Sequence, residues 1–252
     1  MHHLRKRRFP AGAVLLIALF VSCKSIFVPV KAEFEGYPIT PASPRDTAMQ
    51  VLMAPYRDSV DRSMNQVIGE VEKSLEKKQP EGTLGNFMAD AMYYSGKQKY
   101  GIDVDAAFVN YGGIRIPQLA AGPVTRGKIF ELMPFDNIVV VQRMKGNVLQ
   151  EFLNLIAEKG GWPVAGIKME IKDKKAINIH VGGQPLDLNK TYTIVNSDYV
   201  ANGGDNAAML KTVPQETNGY LMRDAIFDYI NMLQVQGKKI NAHLENRIVY
   251  AQ

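Results

Sequence analysis

Cysteine is almost absent from this chain of 252 residues. Cys23 is the only one, so no internal disulfide can form and the fold must rest on its apolar core. Histidine is nearly as scarce. His2 and His3 stand at the start of the chain, and His180 and His243 have no second histidine close in sequence. Histidines so isolated read as structural rather than as metal ligands. No Gly-x-Ser-x-Gly, no phosphate-cradling P-loop and no Cys–His pair occurs, so the chemistry those motifs carry has no signature here. No internal repeat is present. The excess of positive charge is also less than it looks. The chain has 30 Lys and Arg against 25 Asp and Glu, but four of the basic residues (Arg5, Lys6, Arg7, Arg8) precede Cys23 and no acidic one does. Beyond that point 26 basic residues face 25 acidic ones, a balance of +1 that gives no support for nucleic-acid binding.

The basic start is followed by an apolar run over 11–21, too short for a membrane span but right for the core of a secretory signal. It ends at Phe20-Val-Ser-Cys23, which resembles a bacterial lipobox, with Phe20 where Leu is usual. The resemblance implies a signal peptide over 1–22, lipidation of Cys23, and an exported, membrane-anchored lipoprotein on the periplasmic or cell-surface side. An ordinary secretory signal with an incidental Cys is the alternative. Residues 23–45 read as a tether, because Pro29, Pro38, Pro41 and Pro44 interrupt any regular element. The folded domain is then expected over 46–252, a length that suffices for one core.

Within that domain, Met49, Leu52, Met53, Tyr56 and Val60 recur at helical spacing, and 66–75 alternates like a strand. Helices are expected over 84–94 with Thr83 as its N-cap, 126–132 ended by Pro134, 146–159 ended by Gly160-Gly161, and 217–234. Strands are expected over 105–109, 137–144, 167–171, 176–181, 191–196 and 247–250. The Lys172-Asp-Lys-Lys175 stretch reads as a solvated hairpin tip. Helices and strands so intermixed, with a hairpin among them, indicate an α+β fold with mixed sheets.

Three glycine-containing islands punctuate this pattern: Gly85-Asn86, Asn110-Tyr-Gly-Gly-Ile-Arg115 and Ala201-Asn-Gly-Gly-Asp205. Glycine lets the backbone approach a ligand, and Asn, Asp and Arg supply directed hydrogen bonds. The first island reads as a helix-packing device and the other two as ligand-binding. Trp162 reads as a loop-end anchor, and Met88, Met92, Met133 and Met144 as core filler.

Four stretches occur in order: LGNFMADAM, NYGGIR, KIFELMPFDNIVVVQRMKGNVL and GGQPLDLNKTYTIVNSDYVANGGD. Together they resemble the C-terminal, substrate-specificity domain of 5′-nucleotidases and UDP-sugar hydrolases, over about 46–250. The resemblance implies a four-layer α/β/β/α domain that clamps a nucleotide base between two aromatic rings. By the same resemblance, Phe135 and Tyr199 match the rings, with Tyr199 where Phe is usual. Asn110 matches a base contact, Asp205 an acceptor for ribose hydroxyls, and Arg115 a group near ribose and phosphate. Tyr111 stands where the family usually has Gly and is expected to narrow the pocket floor. Lys77 and Lys78 stand where some members carry a further Arg, and a lysine cannot grip a phosphate bidentately.

In that family a separate calcineurin-like half holds two divalent metals in DxH, GNH and GHxH runs, none of which occurs here. The chain therefore reads as the nucleotide- or nucleoside-binding half of a split 5′-nucleotidase-type hydrolase in nucleotide catabolism. It is expected to contain no catalytic residue, metal site or cofactor of its own and to be inactive alone. A separate metallophosphoesterase chain would be its partner. A lipoprotein that captures nucleosides or nucleotides without any hydrolase is the alternative, and a domain without ligand the third.

Overall fold

The computed structural model describes residues 33–252. The signal segment, Cys23 and the first part of the tether lie outside the described residues. Residues 33–46 contain no helix or strand, only a turn and bend over 41–43. The chain divides into two units at Ala48/Met49, and apart from the first two residues of the first helix everything below concerns the second.

The elements run in the order α1 (Thr47–Met64), β1 (Val67–Val71), β2 (Leu75–Glu76), α2 (Thr83–Tyr100), β3 (Ala106–Phe108), β4 (Gln118–Leu119), β5 (Gly122–Thr125) and α3 (Arg126–Leu132). Then follow β6 (Val139–Lys145), α4 (Gly146–Glu158), β7 (Val164–Ala165), β8 (Ile167–Lys172), β9 (Lys175–Val181), β10 (Gln184–Pro185) and β11 (Thr191–Ser197). The chain ends with α5 (Asp198–Ala201), β12 (Gln215–Glu216), α6 (Met222–Val235) and β13 (Ile248–Tyr250).

Two larger sheets are present, and both are mixed. One has the order β12-β6-β11-β3-β7, with β11 parallel to β3 and its other pairs antiparallel. The other has the order β10-β9-β8-β13, with β13 parallel to β8. The α+β class with mixed sheets expected from the sequence is the observed one. Side chains that alternate along a strand divide between two cores. In β11, Val195 joins the first core while Tyr192 and Ile194 join the second. In β3, Ala107 faces the first, and Ala106 and Phe108 the second.

The first core is closed by α2 and α6. Leu84, Phe87, Met88, Ala91 and Met92 of α2 are buried, as their helical spacing requires. The second is filled by α4, whose Leu149, Phe152, Leu153 and Ile156 fall at i, i+3, i+4 and i+7 and pack between the two sheets. Each such side chain contributes about 2 kcal/mol by its burial. Phe152 meets Phe108 and Trp162 edge-on at 5.0 and 5.9 Å, so Trp162 anchors the loop behind α4 as its position suggested. The four methionines are core, as read.

Several boundaries differ from the sequence expectation. The N-cap of α2 is Gly82, and the Thr83 hydroxyl instead accepts a hydrogen bond from the Glu76 N–H. The closing helix starts at Met222 rather than 217, because Gln215 and Glu216 pair with the edge of β6 and Gly219 turns the chain at φ 78°. The strand expected over 66–75 is broken at 72–74 into β1 and β2. Helix α1 is present, but Leu52, Met53, Tyr56 and Val60 on its apolar stripe are exposed.

Candidate functional site

Strand direction brings the two polar islands and the Phe135 loop to one end of the central strands of the five-stranded sheet. Because β3 and β11 are parallel, their C-terminal ends lie together, and β6, antiparallel to β11, begins where β11 ends: Val139 pairs with Ser197. Island 110–115 leaves β3 there, 198–206 leaves β11, and 133–138 enters β6. Carboxyl ends of neighbouring strands are where ligands commonly bind in α/β sheets.

The three segments enclose a cavity of about 340 Å³ lined by Asn110, Gly112, Gly113, Arg115, Phe135, Asn137, Tyr199 and Asp205. All five residues singled out from the sequence are in this lining. Its volume is that of a small-molecule site. Phe135 and Tyr199 remain 40% and 45% exposed, the state of aromatic rings that offer a face rather than fill a core. The Arg115 guanidinium lies 5.4 Å from the centre of the Phe135 ring, within cation–π range.

Asp205 is the hub of the polar side. Its Oδ2 accepts from Asn110 Nδ2 at 2.7 Å, and its Oδ1 accepts from the Tyr199 hydroxyl at 3.1 Å. Asp205 and Asn206 hold left-handed backbone, with φ of 51° and 73°, which costs energy away from glycine and concentrates at functional loops. Asn110 is only 6% exposed, and its Oδ1 has no hydrogen-bond partner among the described residues. Gly113 packs closely beside it: a Cβ there would sit 2.7 Å from that oxygen and would push the Asn110 amide aside.

Lys77 stands just behind this wall. Its ammonium donates to the Ile114 carbonyl at 2.8 Å and lies 4.1 Å from the centre of the Tyr111 ring. Burial, and then the nearby Arg115, lower its pKa. Tyr111 does not narrow the pocket floor as expected. It packs against the second core and is not among the residues lining the cavity, because the short 3-10 turn at Tyr111–Gly113 directs it away.

Other residues shape the site without having been singled out. Asn137 lines the cavity directly; it follows Phe135 by two positions in a motif otherwise read as strand. Asp198 Oδ1 accepts from both the Ile138 and Tyr199 N–H groups at 2.9 Å, tying together the segments that carry the two rings. Arg223 of α6 is nearly buried. It donates to the Met133 and Phe135 carbonyls at 3.1 and 3.3 Å and to Asp136 at 2.6 Å, and stacks over Phe130. Gln142 and Asn196 form a buried pair, and Gln142 donates to the Leu210 and Val213 carbonyls, pinning the loop after the third island. Only tertiary neighbours give these residues their roles, so no local pattern marks them.

The first island is different. Asn86 is buried and donates to Glu81 Oε1 and to the His243 carbonyl, both at 2.7 Å, and Gly85 packs against Pro163. This is the helix-packing role read from the sequence. His180 Nδ1 lies 3.0 Å from the Asn178 carbonyl. Among the described residues no three His, Cys, Asp or Glu side chains are grouped so as to hold a metal ion. Among them, too, no helix is long and apolar enough to cross a membrane.

Comparison with known proteins points the same way as the geometry. The family model described as 5′-nucleotidase, C-terminal domain, matches residues 67–212, more than half of the chain. A 5′-nucleotidase of Vibrio parahaemolyticus is 28% identical over 197 residues, which are 74% of this chain and 34% of that protein. A cell wall protein of Listeria monocytogenes is 32% identical over 194 residues, 71% of this chain and 24% of that protein. The crystal structure of a 5′-nucleotidase precursor from Thermus thermophilus superposes with a TM-score of 0.70 at 28% identity, covering 83% of this chain and 44% of that one. The chain thus spans about a third of the length of the curated 5′-nucleotidase it matches.

Proposed function

We propose, from the premise that this chain belongs to the family of 5′-nucleotidase C-terminal domains, that its cavity holds a nucleoside or nucleotide with the base between Phe135 and Tyr199. The observation that carries this reading is the convergence of two half-exposed aromatic rings, a carboxylate and a guanidinium on one cavity of nucleoside size. A base stacked on an aromatic ring gains about 1–3 kcal/mol. Asp205 accepts from sugar hydroxyls, and Asn110 and Asn137 supply amide contacts. Arg115, with Lys77 behind it, makes the end of the cavity cationic and suited to phosphate.

In this reading the chain is the substrate-holding half of a 5′-nucleotidase-type phosphohydrolase of nucleotide catabolism. Catalysis comes from a metallophosphoesterase unit outside these 252 residues, which we take to be a separate chain with two divalent metals. The contribution of this chain is orientation: it presents the scissile phosphate to that unit. We further propose that the protein is exported and held at a membrane through a lipid on Cys23. The basic and apolar leader ending at Cys23 supports both parts, and the likeness to a Listeria cell wall protein supports export alone.

Calorimetric titration of the purified chain with adenosine and AMP tests the reading. Micromolar binding, with phosphate release only after a metallophosphoesterase is added, is the expected outcome. Binding that no such partner converts into hydrolysis would instead favour a capture lipoprotein. Absence of binding to either ligand would remove the proposed site.

A further inference from the structure

The second aromatic wall of the cavity is not a free ring. Tyr199 lies directly on the backbone of Gly204, where a Cβ would come within 2.5 Å of its ring atoms. Its hydroxyl donates to Asp205 Oδ1 at 3.1 Å and accepts from the Asp205 N–H at 3.3 Å. The ring is therefore tethered at its far end to the residue that faces the ligand. On the other side, Asn110 donates to Oδ2 at 2.7 Å from a nearly buried position. Both oxygens of Asp205 are engaged before any ligand arrives.

That arrangement bears on which sugar the site prefers, and it rests on the nucleoside reading above. A carboxylate binds a vicinal diol best when each oxygen accepts one hydroxyl. Each oxygen of Asp205 has two acceptor directions and has already given one to a protein donor, so a further hydroxyl finds a weaker acceptor there. The Asn110 bond is short and shielded from water, whereas the Tyr199 bond is longer and half-exposed. A phenylalanine at 199 would stack on a base equally well and release Oδ1 from its protein donor, while the Asp205 N–H would lose its long contact to the hydroxyl.

We propose that the Tyr199 hydroxyl is a specificity determinant that competes on Asp205 Oδ1 with the second hydroxyl of a ligand diol and weakens its bond. The site then accepts 2′-deoxyribonucleosides nearly as well as ribonucleosides. Tyr199 acts here on the balance between two ligands and not on the strength of stacking.

The test is calorimetric titration of the full chain and of its Tyr199→Phe variant with adenosine and with 2′-deoxyadenosine. Thermal unfolding of both proteins would verify that the variant keeps its fold. In the unaltered chain the two dissociation constants are expected to lie within about threefold, less than one ordinary hydrogen bond is worth. In Tyr199→Phe, adenosine is expected to gain over 2′-deoxyadenosine by about tenfold, the worth of one restored bond to a charged acceptor. A strong preference for adenosine already in the unaltered chain would overturn the proposal, and so would an unchanged ratio in the variant. Neither of those outcomes would touch the nucleoside reading. Failure of both proteins to bind either ligand would sink that reading and this inference together.

Discussion

The islands around Asn86 and Asn110 look alike in sequence, each an asparagine within two positions of a glycine and next to an apolar segment, yet they do opposite work. Asn86 sits inside the molecule with its amide shared between Glu81 and the His243 carbonyl. Asn110 is almost as buried, but its amide N–H is committed to Asp205 at a cavity wall and its oxygen has no partner among the described residues. Around the first, packing is dense: Gly85 touches Pro163, and nearby Asp90 of the same helix pairs with the nearly buried Arg247 at 2.8 Å. Around the second are left-handed backbone at Asp205 and half-exposed rings at Phe135 and Tyr199. A region that spends its hydrogen bonds internally stabilises the fold, and one that holds some in reserve can meet a ligand.

Substitutions can separate the two regions. The largest effect is expected at Arg223, which reaches from α6 to the Phe135 loop. Arg223→Met leaves the Met133 and Phe135 carbonyls without their donor and should cost about 3 kcal/mol of stability while also weakening adenosine binding. Arg223→Lys should restore stability in part but not the binding, because an ammonium cannot fork to two carbonyls and Asp136 together. Denaturant titration paired with calorimetry would show this, and equal recovery of both quantities would argue that Arg223 does not position Phe135.

Asn86→Ala comes next. It should lower stability by about 2 kcal/mol, since it leaves the His243 carbonyl unpaired, and leave the affinity for adenosine within about twofold. A loss of binding without a loss of stability would reverse the assignment of the first island. Phe135→Ala is the mirror image: affinity should fall about tenfold, with stability changed by no more than about 0.5 kcal/mol.

The gentlest probe is pH. Tyr229 packs with Phe87 and Tyr94 on the densely packed side. Burial, and then the charge of Asp90, push its pKa up to about 12. The unfolded chain ionises this tyrosine near 10, so its contribution to stability is complete below about pH 10 and is lost as pH rises through about 12. Absorbance of the tyrosinate, followed with the denaturation midpoint across that window, should show late ionisation coupled to weakening. Ionisation near the ordinary tyrosine value with no loss of stability would show that Tyr229 is not held in a dry setting.

Much of this could be read before any coordinates. Periodicity located α4 and the β8–β9 hairpin closely, because long apolar stripes and a charged tip leave little choice. It failed at the start of α6, where 220–222 is zippered to 137–139 through Met222 N–H to the Asn137 carbonyl and Val139 N–H to the Tyr220 carbonyl. The five candidate site residues were legible only through motif resemblance, as their contacts span up to 95 positions in sequence. Asn137, Asp198 and Arg223 were not legible, because an isolated Asn, Asp or Arg carries no periodic signal and is assigned by what folds against it.

The α+β class, the two core-facing periodicities, the family and the residue types available to a site were all set in the order of the amino acids. They follow from the pattern of apolar side chains and from local backbone preferences, which act between near neighbours in the chain. Which islands meet was settled by tertiary packing. Parallel pairing of β3 and β11, with β6 reversed beside them, sets Asn110, Phe135 and Asp205 around one cavity and leaves Asn86 in the interior. Strand order and direction are long-range properties, fixed by the packing of whole faces, and no short stretch of sequence contains them.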